Sequence, residues 1–460
     1  MESINKKYTL ICLLVLSSLN ILAQGYKLPN YTTFKLANGL TFNLMEQHDV
    51  PIVDVAIIFP AGAIYDQDKA GLASLTATAL KHGTQRFTSA KLEEELDFMG
   101  ATVNTYATKE FAGLSSNFAS KDKDQVLLMI KEIVQNPVFD AAEFEKEKSR
   151  RLVRLDQQKE SPGAVIGSYF DSLLYGNHVY GNNITGTKTT VELLTVADVN
   201  TFYKNNYKPD TSVISVVGDF KSIEMKKTLT QLFSNWKSNA TPQENLASKA
   251  IVLPTENKVL LVNKDDAKET TMYIGAAGVS RNNPDYVAID VVNTLFGGRF
   301  TSMLNDELRV NSGLTYGASS RFSALKNGGS FIMSTFTAVN TTEPTIDKAL
   351  EVLKKLHTKG LDEKALASAK NYVKGQFPPD YETAGQLARL LSTMYWYDLD
   401  RSFIDNFEKN VDRLDLAKAN EIIAKYFPED KLQFVLVGKA SEIKKIVEKY
   451  GPVTQVEIAQ

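Results

Sequence analysis

A stretch near the middle of the chain, LTVADVNTFYKNNYKPDTSVISVVGDF, has a counterpart near its end, LDLAKANEIIAKYFPEDKLQFVLVGKA, about 220 residues later. In both, a helix-forming run ends in Tyr and Pro, then passes into a Val-rich strand closed by Gly. Matching punctuation at that distance describes two copies of one large α+β unit, not a short-period solenoid. The chain's 460 residues accommodate two such units, each large enough for its own core.

The pattern between the copies supports this reading. Pro51–Pro60 (PIVDVAIIFP) is apolar and β-branched and reads as a buried strand. Helical spacing follows over Gly71–Lys81 and Ser89–Met99, the latter with Leu92, Leu96 and Met99 on one face and Gly100 as a stop. Thr102–Phe118 alternates like a strand pair, Val126, Ile130 and Ile133 line another helix, and Ala141–Lys159 reads as a long charged helix solvated along one side. In the second copy, strands are expected at Val259–Val262 and Thr271–Gly275 and helices at Pro284–Leu295 and Thr301–Val310. A strand pair over Gly313–Thr337 and helices at Thr345–Thr358 and Asp362–Gly375 complete it. The expected division is a leader over 1–23, a first domain over 24–236, a linker over 237–256, and a second domain over 257–460. Each domain is expected to be a mainly antiparallel sheet packed with helices.

The leader is read from Lys6 and Lys7, an apolar run from Tyr8 to Leu22, and the small Ala23 before Gln24. The run is shorter than the roughly 20 residues a membrane span needs, and Ser17, Ser18 and Asn20 interrupt it. The only cysteine, Cys12, lies inside it after Ile11 rather than a small residue, which argues against a lipid anchor. An exported chain without thiols is expected, placed in a Gram-negative periplasm by the signal type alone. With 52 Lys and Arg against 54 Asp and Glu, the net charge is −2. Nothing in that balance draws the protein to nucleic acid or an anionic membrane.

His48, His82, His178 and His357 lie 34, 96 and 179 residues apart, so no His pair sits at helical ligand spacing. This poverty of ligands becomes specific beside the motifs AGAIYD, GLASLTATALKHGT, MGATVNTYAT, VVGDF and LFGGRFTSMLNDELRVNSGLTYG. Their order resembles the pitrilysin/insulinase-type zinc peptidases, especially two-domain members that include mitochondrial processing peptidase subunits. The resemblance covers the whole chain past the leader. It implies the family's motif H-x-x-E-H just after Gly-Leu-Ala, where two His bind zinc and the Glu activates water. Here those positions are Ser74, Ala77 and Thr78, and counting on to the family's third ligand, a Glu, reaches Arg154. Glu147 matches a supporting acid of the family, and His82 reads as an exposed His at a helix end. The resemblance therefore implies no metal bound by this chain.

The second copy keeps the family's other element, L-R-x-x-x-G-L-x-Y, as Leu308 to Tyr316. In active members this Arg and Tyr approach the zinc from the opposite domain or subunit. Arg309 is expected to end a helix and Tyr316 to begin a strand, with the Asn-Ser-Gly turn aiming both at one cavity. Tyr316 is the candidate donor to a developing oxyanion and Arg309 the group that positions the substrate backbone. Without the resemblance, a dipole-favoured Arg and a packed Tyr explain the pair equally well. Gly297 and Gly298 either let substrate approach the backbone or simply make the turn before this element. Asn104 and Tyr106 lie on the strand that takes up substrate by β-augmentation in active relatives. The implied function is the non-zinc subunit of an exported heterodimeric peptidase, whose partner carries H-x-x-E-H and zinc and which acts on peptides. The alternative is an inactive scaffold or peptide-binding homologue.

Overall fold

The protein is described here by a computed structural model covering residues 25–237, 244 and 246–458. The leader, with Cys12 and Gln24, and part of the linker lie outside the described residues. Among the described residues, no helix is long and apolar enough to cross a membrane.

Twelve strands form two six-stranded sheets among the described residues. The first contains β1 (Thr32–Lys35), β2 (Thr41–Glu46), β3 (Ile52–Phe59), β4 (Thr102–Ala107), β5 (Ala112–Ala119) and β6 (Val213–Gly218), ordered β1-β2-β6-β3-β5-β4. The second contains β7 (Lys258–Asn263), β8 (Glu269–Ala277), β9 (Ala318–Ala324), β10 (Gly329–Ala338), β11 (Gln433–Gly438) and β12 (Val453–Glu457), ordered β12-β7-β11-β8-β10-β9. Five strands correspond one to one. The β2–β6 pair is parallel, like β7–β11, while β3 and β8 run antiparallel to both of their neighbours. The copies part at one edge, where β1 is antiparallel to β2 but β12 is parallel to β7. Two homologous α+β domains are thus present.

The repeated Val-rich strands β6 (VISVVG) and β11 (QFVLVG) are buried at every residue. Strands covered on both faces read as continuous apolar runs. The second cover comes from the opposite half. The helix Pro162–Tyr175 packs on β11 and β8, and Ala384–Trp396 packs on β3 and β6. Phe170 is fully buried and meets Tyr273 edge-on at 6.1 Å. In the mirror exchange, the Ser392 hydroxyl donates to the Ala56 carbonyl at 3.1 Å and lies 2.9 Å from Ser215 Oγ. Each core therefore contains a helix encoded in the other copy.

Several local expectations change. The long charged helix runs Ala141–Gln158 and buries Phe144, Glu147 and Arg151, so its inward face carries charge. The helix expected at Thr301–Val310 is one short turn, Met303–Asn305, followed by a π-helical stretch, Asp306–Asn311. The helix expected to reach Leu295 ends at Asn293 and widens into a π-turn, Thr294–Gly298. The strand pair starts at Ala318, so Tyr316 precedes β9 rather than opening it.

Candidate functional site

In the first half, the site rests on the helix Leu72–Ala79. Gly71 enters it at φ 96°, and Asp66 accepts from the N–H groups of Gly71 (3.0 Å) and Ala73 (2.7 Å). Burial pushes the Asp66 carboxyl up to about 8, against those two donors. Ser74 and Thr78 share one half-buried face, and Ala77 is buried. The Thr78 hydroxyl is turned back onto its own helix, donating to the Ser74 carbonyl at 3.1 Å.

The side chain that reaches this face is Arg151. Its Nη2 donates to Ser74 Oγ at 3.1 Å and its Nη1 to the Thr185 carbonyl at 3.2 Å, and the residue is only 8% exposed. Arg154 instead turns along its helix and pairs with buried Glu147. Counting to the third-ligand position thus names Arg154, whereas packing delivers Arg151, one turn earlier. The spacing Glu147, Arg151, Arg154 marks one helix face and is the signal that identifies the charged inner surface. His82 is half-buried, not exposed. The bridge between Thr84 and Pro137 folds the chain back here, and His82 Nδ1 is buried with no partner. Burial lowers the His82 pKa, while Glu147 and Glu143 oppose that shift.

These groups do not fit a zinc ion. Two neutral hydroxyls are poor donors to it, one of them already accepts from a guanidinium, and a cation placed there would meet that like charge. Among the described residues, no group of three or more His, Cys, Asp or Glu side chains is arranged to hold a metal.

In the second half, Arg309 lies in the π-helical stretch and Tyr316 in the loop before β9. The turn between them is closed by Gly313 N–H to the Arg309 carbonyl (3.2 Å) and Leu314 N–H to the Leu308 carbonyl (2.8 Å), with Gly313 at φ 62°. Hydroxyls from β10 pin the loop. Thr335 Oγ1 donates to the Gly317 carbonyl at 2.9 Å and lies 3.1 Å from Thr315 Oγ1, and Thr337 Oγ1 donates to the Leu314 carbonyl at 2.6 Å. Sequence reasoning passed over both threonines, since only strand register brings them beneath the loop.

Tyr316 is 81% exposed and Arg309 is exposed, its guanidinium 4.8 Å from the ring centre of Phe300. Neither side chain hydrogen-bonds within the described residues. The pair stands on open surface rather than in the expected cavity, beside exposed Phe300 and Val310. Gly297 is buried, and a Cβ there would lie 2.5 Å from the Ser320 backbone nitrogen, so its bareness lets the π-turn pack on β9. Gly298 is exposed beside it. Asn104 is exposed on β4, the free edge of the first sheet, and Lys81 Nζ ties the adjoining helix end to the Val103 carbonyl at 3.0 Å. No hydrogen bond, ion pair or ring contact connects the Arg151 cluster with Arg309 or Tyr316 among the described residues.

The architecture is a duplicated α+β one, with Ser74, Ala77 and Thr78 along one helix of the first half and an outward Arg309/Tyr316 pair in the second. Residues 42–188 match the family described as insulinase (peptidase family M16), and residues 193–373 match the peptidase M16 inactive domain. The chain belongs to the insulinase (M16) family. It is 23% identical over 403 residues to the non-peptidase homolog YmxG of Helicobacter pylori, covering 87% of this chain and 92% of that one. It is also 22% identical to the uncharacterized zinc protease YmxG of Bacillus subtilis, covering 85% and 95% respectively. Among solved structures, a peptidase M16 inactive domain from Pseudomonas fluorescens matches with TM-score 0.82 and 24% identity, over 89% of this chain and 98% of that one. The periplasmic protease PqqL from Escherichia coli matches with TM-score 0.76 and 16% identity, over 90% of this chain and 46% of that one.

Proposed function

We propose that this chain is the non-zinc subunit of an exported heterodimeric metallopeptidase. It supplies Arg309 and Tyr316 in trans to a homologous subunit that carries H-x-x-E-H and zinc. The observation that carries this reading is an exposed Arg/Tyr pair, without a side-chain hydrogen bond among the described residues, on a loop pinned from beneath by Thr335 and Thr337. A phenol O–H held there donates to a peptide carbonyl as it becomes an oxyanion, and the guanidinium holds the neighbouring backbone. Removing one such donor costs about 10²–10³ in rate. Gly297 and Gly298 shape the turn that precedes this element, and Asn104 on the free β4 edge is a secondary contact for an extended peptide. Export rests on the leader over residues 1–23, and a periplasmic location is in keeping with the name of the Escherichia coli relative.

The second reading is an inactive scaffold or peptide-binding protein. It is favoured by Arg151, which closes the metal position from inside, and by the naming of the Helicobacter pylori relative as a non-peptidase. Co-expression with an H-x-x-E-H subunit and assay on unfolded peptides decides between them. Under the first reading, Tyr316→Phe and Arg309→Ala abolish most of the mixture's hydrolysis while the two chains still associate. Unchanged hydrolysis in both variants returns the protein to the second reading.

A further inference from the structure

A cleft in the second domain lies away from both halves of the site described above, between the helix Tyr286–Asn293, the turn Pro378–Tyr381 and the helix Ser402–Asp405. Its volume is about 290 Å³. Arg281, anchored by its N–H to the Leu325 carbonyl at 2.8 Å, enters from the loop after β8. Its guanidinium lies against the rings of Tyr286 and Phe403, 4.1 and 4.5 Å from their centres. It donates no hydrogen bond within the described residues, and its Nη1 is buried without a partner. Two carboxylates border the same space. Asp290 stands one turn beyond Tyr286 on one helix, and Asp380 lies on the facing turn. Neither carboxylate has a hydrogen bond or ion pair to its side chain among the described residues.

Charged groups that serve only the fold are normally paired, because an unpartnered buried N–H of a cation carries a desolvation penalty. Here a cation with one orphaned buried N–H and two solvent-exposed carboxylates face a common aromatic-walled space, within electrostatic reach of one another but with no hydrogen bond or ion pair between them. A simple cation entering it would be repelled by Arg281, and a simple anion by Asp290 and Asp380. A neutral apolar molecule would bury all three charges unpaired. The complementary ligand carries both signs on a compact, partly apolar frame. The volume suits one small molecule, at the lower end of ligand pockets.

We propose that this cleft binds a small zwitterion, a free apolar amino acid or a dipeptide. Its carboxylate is held by Arg281, its α-ammonium by Asp290 and Asp380, and its side chain against the Tyr286 and Phe403 rings. Charge-assisted hydrogen bonds supply the selectivity and ring contact the remaining affinity. The inference goes beyond the proposed peptidase role and does not depend on it.

The test is calorimetric titration of the full chain with the dipeptide Ala-Phe, its N-acetyl form and its C-terminal amide. Ala-Phe is expected to bind, and each capped form, lacking one charge, to bind about tenfold more weakly or worse. Arg281→Gln is expected to weaken Ala-Phe. Because that variant also removes the cation packed on the Tyr286 and Phe403 rings, the exposed double change Asp290→Asn with Asp380→Asn is the second probe. It should weaken Ala-Phe while leaving the N-acetyl form unaffected, a split that misfolding would not produce. No heat from millimolar Ala-Phe, equal binding of all three compounds, or full Ala-Phe affinity in the double variant overturns the proposal.

Discussion

Arg151 and Ser74 are joined by one hydrogen bond, 3.1 Å from guanidinium Nη2 to hydroxyl Oγ, across 77 residues of chain. It places a fixed positive charge against the helix face of Ser74 and Thr78, where the resemblance to the zinc peptidases would put metal ligands. Glu147 stands near enough to favour the charged form of Arg151, although burial and the neighbouring Arg154 lower its pKa. The inward face of the long helix in the first half is therefore organised around a buried cation.

Restoring the motif alone should then fail. A chain carrying Ser74→His, Ala77→Glu, Thr78→His and Arg154→Glu is expected to retain little zinc, because Arg151 still projects onto the ligand face. Adding Arg151→Gln should raise the bound zinc found by metal analysis. Stoichiometric zinc in the fourfold variant would show that the guanidinium is no obstacle.

Thr335→Val keeps the shape of a nearly buried side chain and deletes its two hydroxyl contacts beneath the Tyr316 loop. Stability should fall by about 1–2 kcal/mol. Amide exchange over Leu314–Gly317 should quicken while β11 is unaffected. If the chain completes a site in trans, kcat of the mixture falls about tenfold with KM little changed. Unaltered exchange in that loop would remove Thr335 from any positioning role.

Because each sheet is covered by a helix from the other half, the two domains should unfold together. Phe170→Ala, made in the first half, opens a void over β8 in the second and should cost about 3–5 kcal/mol in one cooperative transition. A fragment of residues 257–460 alone is expected to expose β11 and aggregate. Two separate melting transitions in the intact chain would contradict this coupling.

The segment around Leu28 is clasped to the second domain. Asp405 accepts from the Leu28 N–H at 2.9 Å and pairs with Arg401 at 2.7 Å, and Arg401 also reaches the Leu28 carbonyl. Burial pushes the Asp405 carboxyl up, but Arg401, the Leu28 N–H and Lys27 outweigh it and the net shift is downward. The native chain thus holds this proton less tightly than the unfolded chain. The clasp's contribution is whole above the ordinary carboxylate value of about 3.9 and is lost as pH falls through the lower native value. Exchange at Leu28, corrected for intrinsic rates, should be flat near neutrality and rise in acid. Asp405→Asn should show the fast rate throughout.

The repeated Tyr-Pro and Val-rich signatures marked the two α+β copies, and the order of local motifs pointed to Ser74 and Thr78 as matches for ligand positions and Ala77 as the match for the base. Such features depend on neighbours within a few turns, so the sequence carries them directly. It missed β1, β2 and β12, and it described the Arg309 element as an ordinary helix. The π-helical widenings, at Thr294–Gly298 packed on β9 and at Asp306–Asn311 beside the helix Thr342–Lys359, leave no simple periodic trace. By itself, the sequence determined the duplication and the family, and it singled out Ser74, Thr78, Arg309 and Tyr316 for test. Only the tertiary structure decided that Arg151 rather than Arg154 reaches Ser74, that helices are exchanged between the sheets, and that β10 threonines hold the Tyr316 loop. Those outcomes join residues as far apart as Ala56 and Ser392. Local spacing states which face of a helix or strand is apolar, but not which distant surface that face will meet, because that choice is made by packing the whole chain.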